Sequence, residues 1–291
     1  MGAAMRSWLF VPGDSETKIA KARGAGADVL ILDLEDSVAL PRKAAARDVV
    51  AAALREARGA QKIYVRVNPL SSGMALADLA SVMPAGPDGI VLPKTDCGAD
   101  VTVVSHYLDA FEAGFGATDG QTKILPIATE TGKSVFALGS YVDRRLAGLT
   151  WGAEDLPASV GAATGREDDG SLTDLCRLAR SLCLAGAAAA GVAAIETVYP
   201  DFRDVDGLRR YVARGRRDGF TGMMAIHPNQ VPIINEAMTP GNDEVTFAQS
   251  VVALFDKNPG AGVVSLNGKM LDLPHLKQAR RLLAMAGFGS H

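Results

Sequence analysis

Apolar and polar positions follow two rhythms along the chain. Eight short runs rich in Val, Ile and Leu recur at 7–11, 29–34, 62–68, 89–93, 123–129, 146–152, 192–197 and 222–226. Between them lie longer Ala/Leu/Arg-rich stretches, at 15–24, 41–58, 74–83, 99–113, 134–143, 173–190 and 204–219, and several place apolar residues at i, i+3, i+4 and i+7. The short runs read as strands and the long ones as helices. Strands that alternate with helices pair in parallel, because a parallel return needs a crossover of a dozen or more residues. Eight such units predict an α/β fold, a closed (β/α)8 TIM barrel. An open doubly wound sheet is the alternative, but it calls for a Gly-rich phosphate turn after the first strand, and Pro12-Gly13-Asp14 does not supply one.

The rhythm changes after Pro240. A helix is expected over 244–256, a turn over 258–262, a hairpin about Asn267-Gly268 joining 263–266 to 269–271, and a last helix over 274–285. This division gives a catalytic barrel over 1–239 and a short helical and hairpin extension over 240–291. The extension is too small for a core of independent size, so it is expected to pack on a barrel, its own or that of a neighbouring subunit.

Composition narrows the function. The chain has 291 residues, enough for one barrel of about 250 residues plus a tail. With 48% hydrophobic residues it can fill a large core. A net charge of −3 and the lack of any Lys/Arg-rich run argue against a nucleic-acid partner. No apolar run reaches the 18 or so residues of a membrane span, and the N-terminus shows no secretory pattern. Three cysteines, Cys97, Cys176 and Cys183, match no disulfide framework and no zinc spacing. Reduced thiols in a cytoplasmic protein are expected.

The chemistry shows at the end of each strand. The runs finish in Asp33, Glu35 and Asp36, in Arg66 and Asn68, in Lys94, in Glu130, in Glu154 and Asp155, and in His227. Barrel active sites are built at the C-terminal ends of the strands, so this one-ended bias predicts a functional mouth. Carboxylates with few cations among them suit a hard metal such as Mg2+, which takes oxygen ligands and keeps several waters. Glu130 and Asp155 come from neighbouring strands and are the expected pair. Asp33, Glu35 and Asp36 could hold metal-bound waters behind them. For Asp155 a helix-terminal charge remains an alternative. Arg66, inside a strand, needs anionic partners, either Glu35 and Asp36 or a substrate carboxylate. Lys94 could form a Schiff base, although an ion pair suits it better. His227, before a proline, reads as a structural hydrogen-bonder. No GxSxG elbow is present.

Nine segments carry a resemblance. They are RSWLFVPGDSETKIAKA at 6–22, GADVLILDLEDSV at 26–38, YVRVN at 64–68, GIVLPK at 89–94, ATETG at 128–132, LTWGAEDL at 149–156, AIETVYPDFRD at 194–204, IHPNQV at 226–231 and GKMLDLP at 268–274. In this order they resemble the citrate lyase β-subunit and HpcH/HpaI aldolase superfamily, on its acyl-CoA lyase side. The resemblance implies a Mg2+-dependent barrel, trimeric or hexameric, that cleaves a β-hydroxyacyl-CoA thioester such as citramalyl-, malyl- or citryl-CoA to an acyl-CoA and an oxo acid. It implies Glu130 and Asp155 as metal ligands and Arg66 as the binder of the oxo-acid carboxylate. Phe10 and Lys21 would lie along the CoA arm, and Glu35 and Asp36 would anchor metal waters and Arg66. Asp272 would enter a neighbouring subunit's site as general acid/base.

Two positions depart from the pattern. Ser15 stands where some CoA-using relatives carry Arg, and Glu196 where many carry Asp. Both bear on CoA handling more than on the metal pair. A subunit of a citrate lyase complex acting on a carrier-bound thioester is one variant of the reading. A class II aldolase acting on free oxo acids and a non-catalytic binding protein on a retained barrel are the alternatives.

Overall fold

Each of the eight expected runs forms a strand in the computed structural model, which describes residues 5–57 and 59–288. The strands are β1 (Ser7–Pro12), β2 (Val29–Asp33), β3 (Lys62–Arg66), β4 (Gly89–Leu92), β5 (Lys123–Pro126), β6 (Gly148–Thr150), β7 (Ala193–Glu196) and β8 (Gly222–Ala225). All pair in parallel, in the order β5-β4-β3-β2-β1-β8-β7-β6. Parallel bridges Ile124–Leu146 and Ile127–Thr150 join the two outer strands, so the sheet closes into a barrel.

The two-residue period sorts the strand side chains into two cores. Trp8, Val29, Ile31, Tyr64, Val91, Leu125, Ile195 and Met224 fill the barrel interior. Their neighbours, among them Leu9, Leu30, Leu32, Val65 and Ile90, face outward into the layer beneath the helices. Both faces being buried explains why the strands read as continuous apolar runs. Gly89 makes room for the ring of Tyr64, which a Cβ there would meet at 2.2 Å.

The helices of the outer layer are α1 (Glu16–Arg23), α2 (Lys43–Arg55), α3 (Ala75–Val82), α4 (Gly98–Phe115), α5 (Gly132–Val135), α6 (Asp155–Ser159), α7 (Asp174–Ala190), α8 (Val205–Asp218) and α9 (Gln230–Met238). The helix expected over 134–143 is cut short: α5 has four residues, and a 3-10 turn Leu138–Ser140 replaces the rest. Gly98 packs so tightly on the Ser140 carbonyl that a Cβ there would lie 1.9 Å from its oxygen. The Gly98 N–H also donates to Ser140 Oγ at 2.9 Å. These contacts draw the segment onto the start of α4 and out of helical register.

Beyond α9 the chain forms α10 (Asn242–Lys257), a hairpin of β9 (Val263–Leu266) and β10 (Lys269–Asp272), and α11 (Leu273–Met285). Asn267 and Gly268 take φ of +52° and +76°, the left-handed pair a tight hairpin turn requires. Ala248, Val251, Phe255, Val264, Leu271 and Leu276 form a small core of their own. The extension attaches under the barrel, at the N-terminal ends of the strands. Arg281 Nη2 donates to the Gly219 carbonyl at 3.0 Å, and Arg216 pairs with Glu244 at 2.7 Å. A cavity of about 920 Å3 lies between α11 and the barrel underside at Arg6, Ala193 and Thr221. Among the described residues no helix is long and apolar enough to cross a membrane.

Candidate active site

The loops after the strands converge on a cavity of about 430 Å3 at the C-terminal mouth, lined among others by Phe10, Arg66, Glu130, Trp151 and Asp155. Glu130 follows β5 and is buried. Its Oε2 accepts the backbone N–H of Lys94 at 2.5 Å. Gly152 lies flat against it, since a Cβ there would come 2.6 Å from Glu130 Cγ. Burial pushes the Glu130 carboxyl up to about 8, and the negative neighbours Asp155 and Glu35 push the same way. Asp155 opens α6 and borders both this cavity and a second one of about 500 Å3 that includes Ser71, Lys94 and Thr131. Glu130 borders both as well, so the pair stands between two chambers. Asp155 is the first residue of α6, after the N-cap Glu154; its charge lies in the helix's first turn, as the helix-terminal alternative expected, and at the mouth as well.

Arg66 ends β3 and is fixed from three sides. Its Nε and Nη2 donate to Asp33 Oδ1 and Oδ2, each at 2.7 Å. Nη1 lies 3.0 Å from Glu35 and 3.4 Å from Asp36. The guanidinium also sits over the Phe10 ring, 4.8 Å from its centroid. Burial would lower its pKa, but the paired carboxylates outweigh that and raise it further. Arg66 is therefore a permanent cation on the cavity wall.

Lys94 takes a left-handed backbone, φ +51°, which is uncommon outside glycine. Its ammonium reaches Glu35 Oε1 at 2.5 Å and Asp36 and Asp155 at 3.5 Å. Burial lowers its pKa, yet the Glu35 hydrogen bond and the surrounding carboxylates raise it well above the lysine norm. A lysine held so firmly in its charged form is an ion-pair partner and not a Schiff-base nucleophile.

Asp33 differs from its expected place as a holder of metal-bound waters. Its oxygens serve Arg66 and the backbone N–H groups of Glu35 and Ser37, at 2.8 and 3.0 Å. Burial alone would raise its pKa; Arg66 outweighs burial and holds the carboxyl below the usual range. Sequence reasoning passed over Asp33 as the partner of Arg66, although the β2–β3 register sets the two opposite each other. Glu35 and Asp36 stand where they pair both Arg66 and Lys94. Burial raises the Glu35 carboxyl, and its Oε2, though close to Arg66, accepts no hydrogen bond.

This donor set fits a small hard cation. A buried glutamate forced toward its neutral form, with a second carboxylate, Asp155, close enough to push the same way, is what a divalent ion would relieve. A three-carboxylate cluster elsewhere, Asp109, Glu112 and Asp119, is already neutralised by Arg144 and Arg145.

Of the remaining expected residues only Phe10 lines the mouth cavity. Phe10 joins the cavity to a neighbouring groove of about 700 Å3 that runs past Lys18 and Lys21 to His227. Lys21 is exposed and lies in that groove, clear of Arg66 and Glu130. His227 accepts the Asn229 N–H on Nδ1 at 3.2 Å and stacks on Phe202, a structural role. Asp272 does not line its own chain's mouth. It caps α11 with its side chain 2.5 Å from His275 Nδ1, and that hydrogen bond holds its carboxyl below the usual range.

A closed parallel barrel whose mouth gathers a carboxylate pair, a fixed arginine and an open groove is the site of a metal-assisted enzyme that binds an anionic substrate. The chain belongs to the family described as HpcH/HpaI aldolase/citrate lyase, which matches residues 6–228. It is 35% identical to the citrate lyase subunit beta of Haemophilus influenzae, over 98% of this chain and 97% of that protein. It is 33% identical to the mitochondrial citramalyl-CoA lyase of Rattus norvegicus, over 97% of this chain and 86% of the relative. Among solved structures it is similar to CitE of Mycobacterium tuberculosis in complex with magnesium, acetoacetate and coenzyme A. That likeness has a TM-score of 0.76 and 31% identity, covering 98% of this chain and 99% of the other.

Proposed function

We propose that this protein is a Mg2+-dependent carbon–carbon lyase that cleaves a β-hydroxyacyl-CoA thioester of the citramalyl, malyl or citryl type into an acyl-CoA and an oxo acid. The observation that carries the reading is the pairing of Glu130 and Asp155 beside Arg66 in one mouth cavity. In this reading Glu130 and Asp155 hold the ion. When bound, Mg2+ polarises the hydroxyl and carbonyl oxygens of the substrate. Arg66 neutralises the carboxylate that becomes the oxo acid, and Asp33 and Phe10 keep its guanidinium oriented. Glu35 and Asp36 hold Arg66 and Lys94 and orient water at the site. Phe10 and Lys21, with Lys18, follow the groove that would take the thioester arm and its phosphates.

A base must take the hydroxyl proton. The carbon–carbon bond then breaks, its electron pair passes to the thioester enolate, and the enolate carbon is reprotonated. We assign that base to Asp272 of a neighbouring subunit. Asp272 is half-buried at the end of a hairpin, on an extension fastened to the opposite end of its own barrel. The shared site calls for an oligomer, which we take to be a trimer or hexamer as the family resemblance implies, and we divide the chain into barrel 1–239 and extension 240–291. A cytoplasmic location fits three cysteines that form no disulfide. Assembly into a citrate lyase complex, acting on a carrier thioester, is a variant of the same chemistry.

The test is to incubate the protein and Mg2+ with citramalyl-, malyl-, citryl- and 3-hydroxy-3-methylglutaryl-CoA and follow the oxo product. Release of pyruvate, glyoxylate, oxaloacetate or acetoacetate identifies the substrate. Aldol exchange of free pyruvate without any thioester cleavage would instead point to a free oxo-acid aldolase, and turnover of neither class to a binding protein.

A further inference from the structure

Glu196 ends β7 fully buried, in the layer between the barrel and its helices. Its Oε1 accepts the Trp151 indole N–H at 2.5 Å. The same oxygen accepts the Thr197 N–H at 3.1 Å and the Tyr211 hydroxyl at 3.4 Å. Its Oε2 pairs with Arg180 Nε at 2.8 Å, and Arg180 is anchored in turn by Asp218, also at 2.8 Å. A buried charge this well paired is costly to disturb, yet none of these groups takes part in the proposed lyase chemistry.

What it holds is the start of the loop that carries Asp155. Trp151 is fully buried, its indole turned outward among the packed helices while the residue borders the mouth cavity. The next residue, Gly152, lies against Glu130 and donates its N–H to Thr129 Oγ1 at 3.1 Å. Asp155 comes three residues later. The loop between Trp151 and Asp155 is thus tied at one end to the Glu196–Arg180 pair and pressed on Glu130 in its middle.

We infer that Glu196 is a positioning residue of the site: by gripping the indole N–H of Trp151 it sets the separation of the Asp155 and Glu130 carboxylates, and hence the affinity for the cation. This rests on the reading of Asp155 as a metal ligand. Partners that orient ligating groups typically change metal affinity by about 10- to 100-fold when lost. The link through a tryptophan makes the effect separable from plain stability.

Trp151→Phe removes the donor but keeps an aromatic ring, and it leaves Glu196 paired with Arg180 and Thr197. Glu196→Gln cannot offer oxygen to both Trp151 and Arg180. Mg2+ binding is read by calorimetry on folded protein without substrate. The chain has two tryptophans, so a 1H–15N spectrum shows two indole signals and Trp151→Phe identifies the second. We expect Trp151→Phe to weaken Mg2+ about tenfold. Glu196→Gln should move the Trp151 indole signal and weaken Mg2+ as much, and the double variant should be no weaker than the worse single one. Native Mg2+ affinity in folded Trp151→Phe overturns the inference, as do fully additive losses. Asp155→Asn serves as the control. If that variant also binds Mg2+ normally, the metal assignment fails first; if it loses Mg2+ while Trp151→Phe does not, only the role of Glu196 falls.

Discussion

Arg66 and Asp33 meet through two parallel hydrogen bonds of 2.7 Å on adjacent strands of the barrel. The fork matches guanidinium to carboxylate atom for atom, and neither side chain has much access to water. Losing Asp33 strips two of the three guanidinium nitrogens of their partner and leaves the buried charge to Glu35 and Asp36 alone. Asp33→Ala is expected to destabilise the fold by about 3 kcal/mol, read from urea denaturation, and to lower kcat/KM as well. Arg66→Lys keeps the charge but loses the fork; it should destabilise the fold less than Asp33→Ala while kcat/KM falls about 100-fold. Native kcat/KM in Arg66→Lys would remove the arginine from substrate binding.

Glu130 and Asp155 should be needed for the ion but not for the fold. Glu130→Gln and Asp155→Asn are expected to abolish Mg2+-dependent turnover with unchanged circular dichroism. EDTA should silence the native protein, and added Mg2+ should restore it. Full activity in EDTA, or in either variant, contradicts the metal assignment.

The raised pKa of Glu130 has a sign that can be checked. An unfolded glutamate titrates near 4.3, whereas the folded one is pushed up to about 8. Between these values the folded state binds the extra proton, so raising the pH removes stability from the Mg2+-free protein, by at most about 1.4 kcal/mol per pH unit. The contribution is fully present below about pH 4 and lost as pH passes 8. Mg2+ displaces that proton, so its affinity should rise with pH over the same window. Urea midpoints at pH 6, 7 and 8 in EDTA, compared with Glu130→Gln, measure the slope. Equal slopes in the two proteins would show that Glu130 is not the group responsible.

Sharing of Asp272 predicts complementation. Asp272→Asn and Glu130→Ala homo-oligomers should both be inactive. Mixed oligomers formed by refolding the two together should regain part of the native rate, because some sites combine an intact barrel with an intact neighbouring extension. Verified mixed oligomers with no recovery would place the acid/base within one chain.

Much of this was legible in the chain itself. Eight apolar strand runs alternating with helices specified a parallel sheet covered on both faces, and their number, with no Gly-rich phosphate turn after the first, pointed to closure into a barrel. The polar residue ending each run marked which rim is the mouth; Glu130 and Asp155 follow the adjacent strands β5 and β6, and Arg66 ends β3, two strands from β5 on the same rim. Other features depended on packing between distant segments. The helix expected over 134–143 gave way because Gly98, some forty residues earlier, draws Ser140 onto α4. Asp33 became the partner of Arg66 through the β2–β3 register, and Lys94 became a cation among Glu35, Asp36 and Asp155 through a left-handed backbone that no side-chain pattern announces. The sequence by itself determined the fold and the kinds of group at the mouth, since these follow from local periodicity. Only the tertiary structure decided which carboxylate pairs with which cation and that Glu196 reaches Trp151. Contacts between residues far apart in the chain depend on register and close packing, and periodicity carries no record of either.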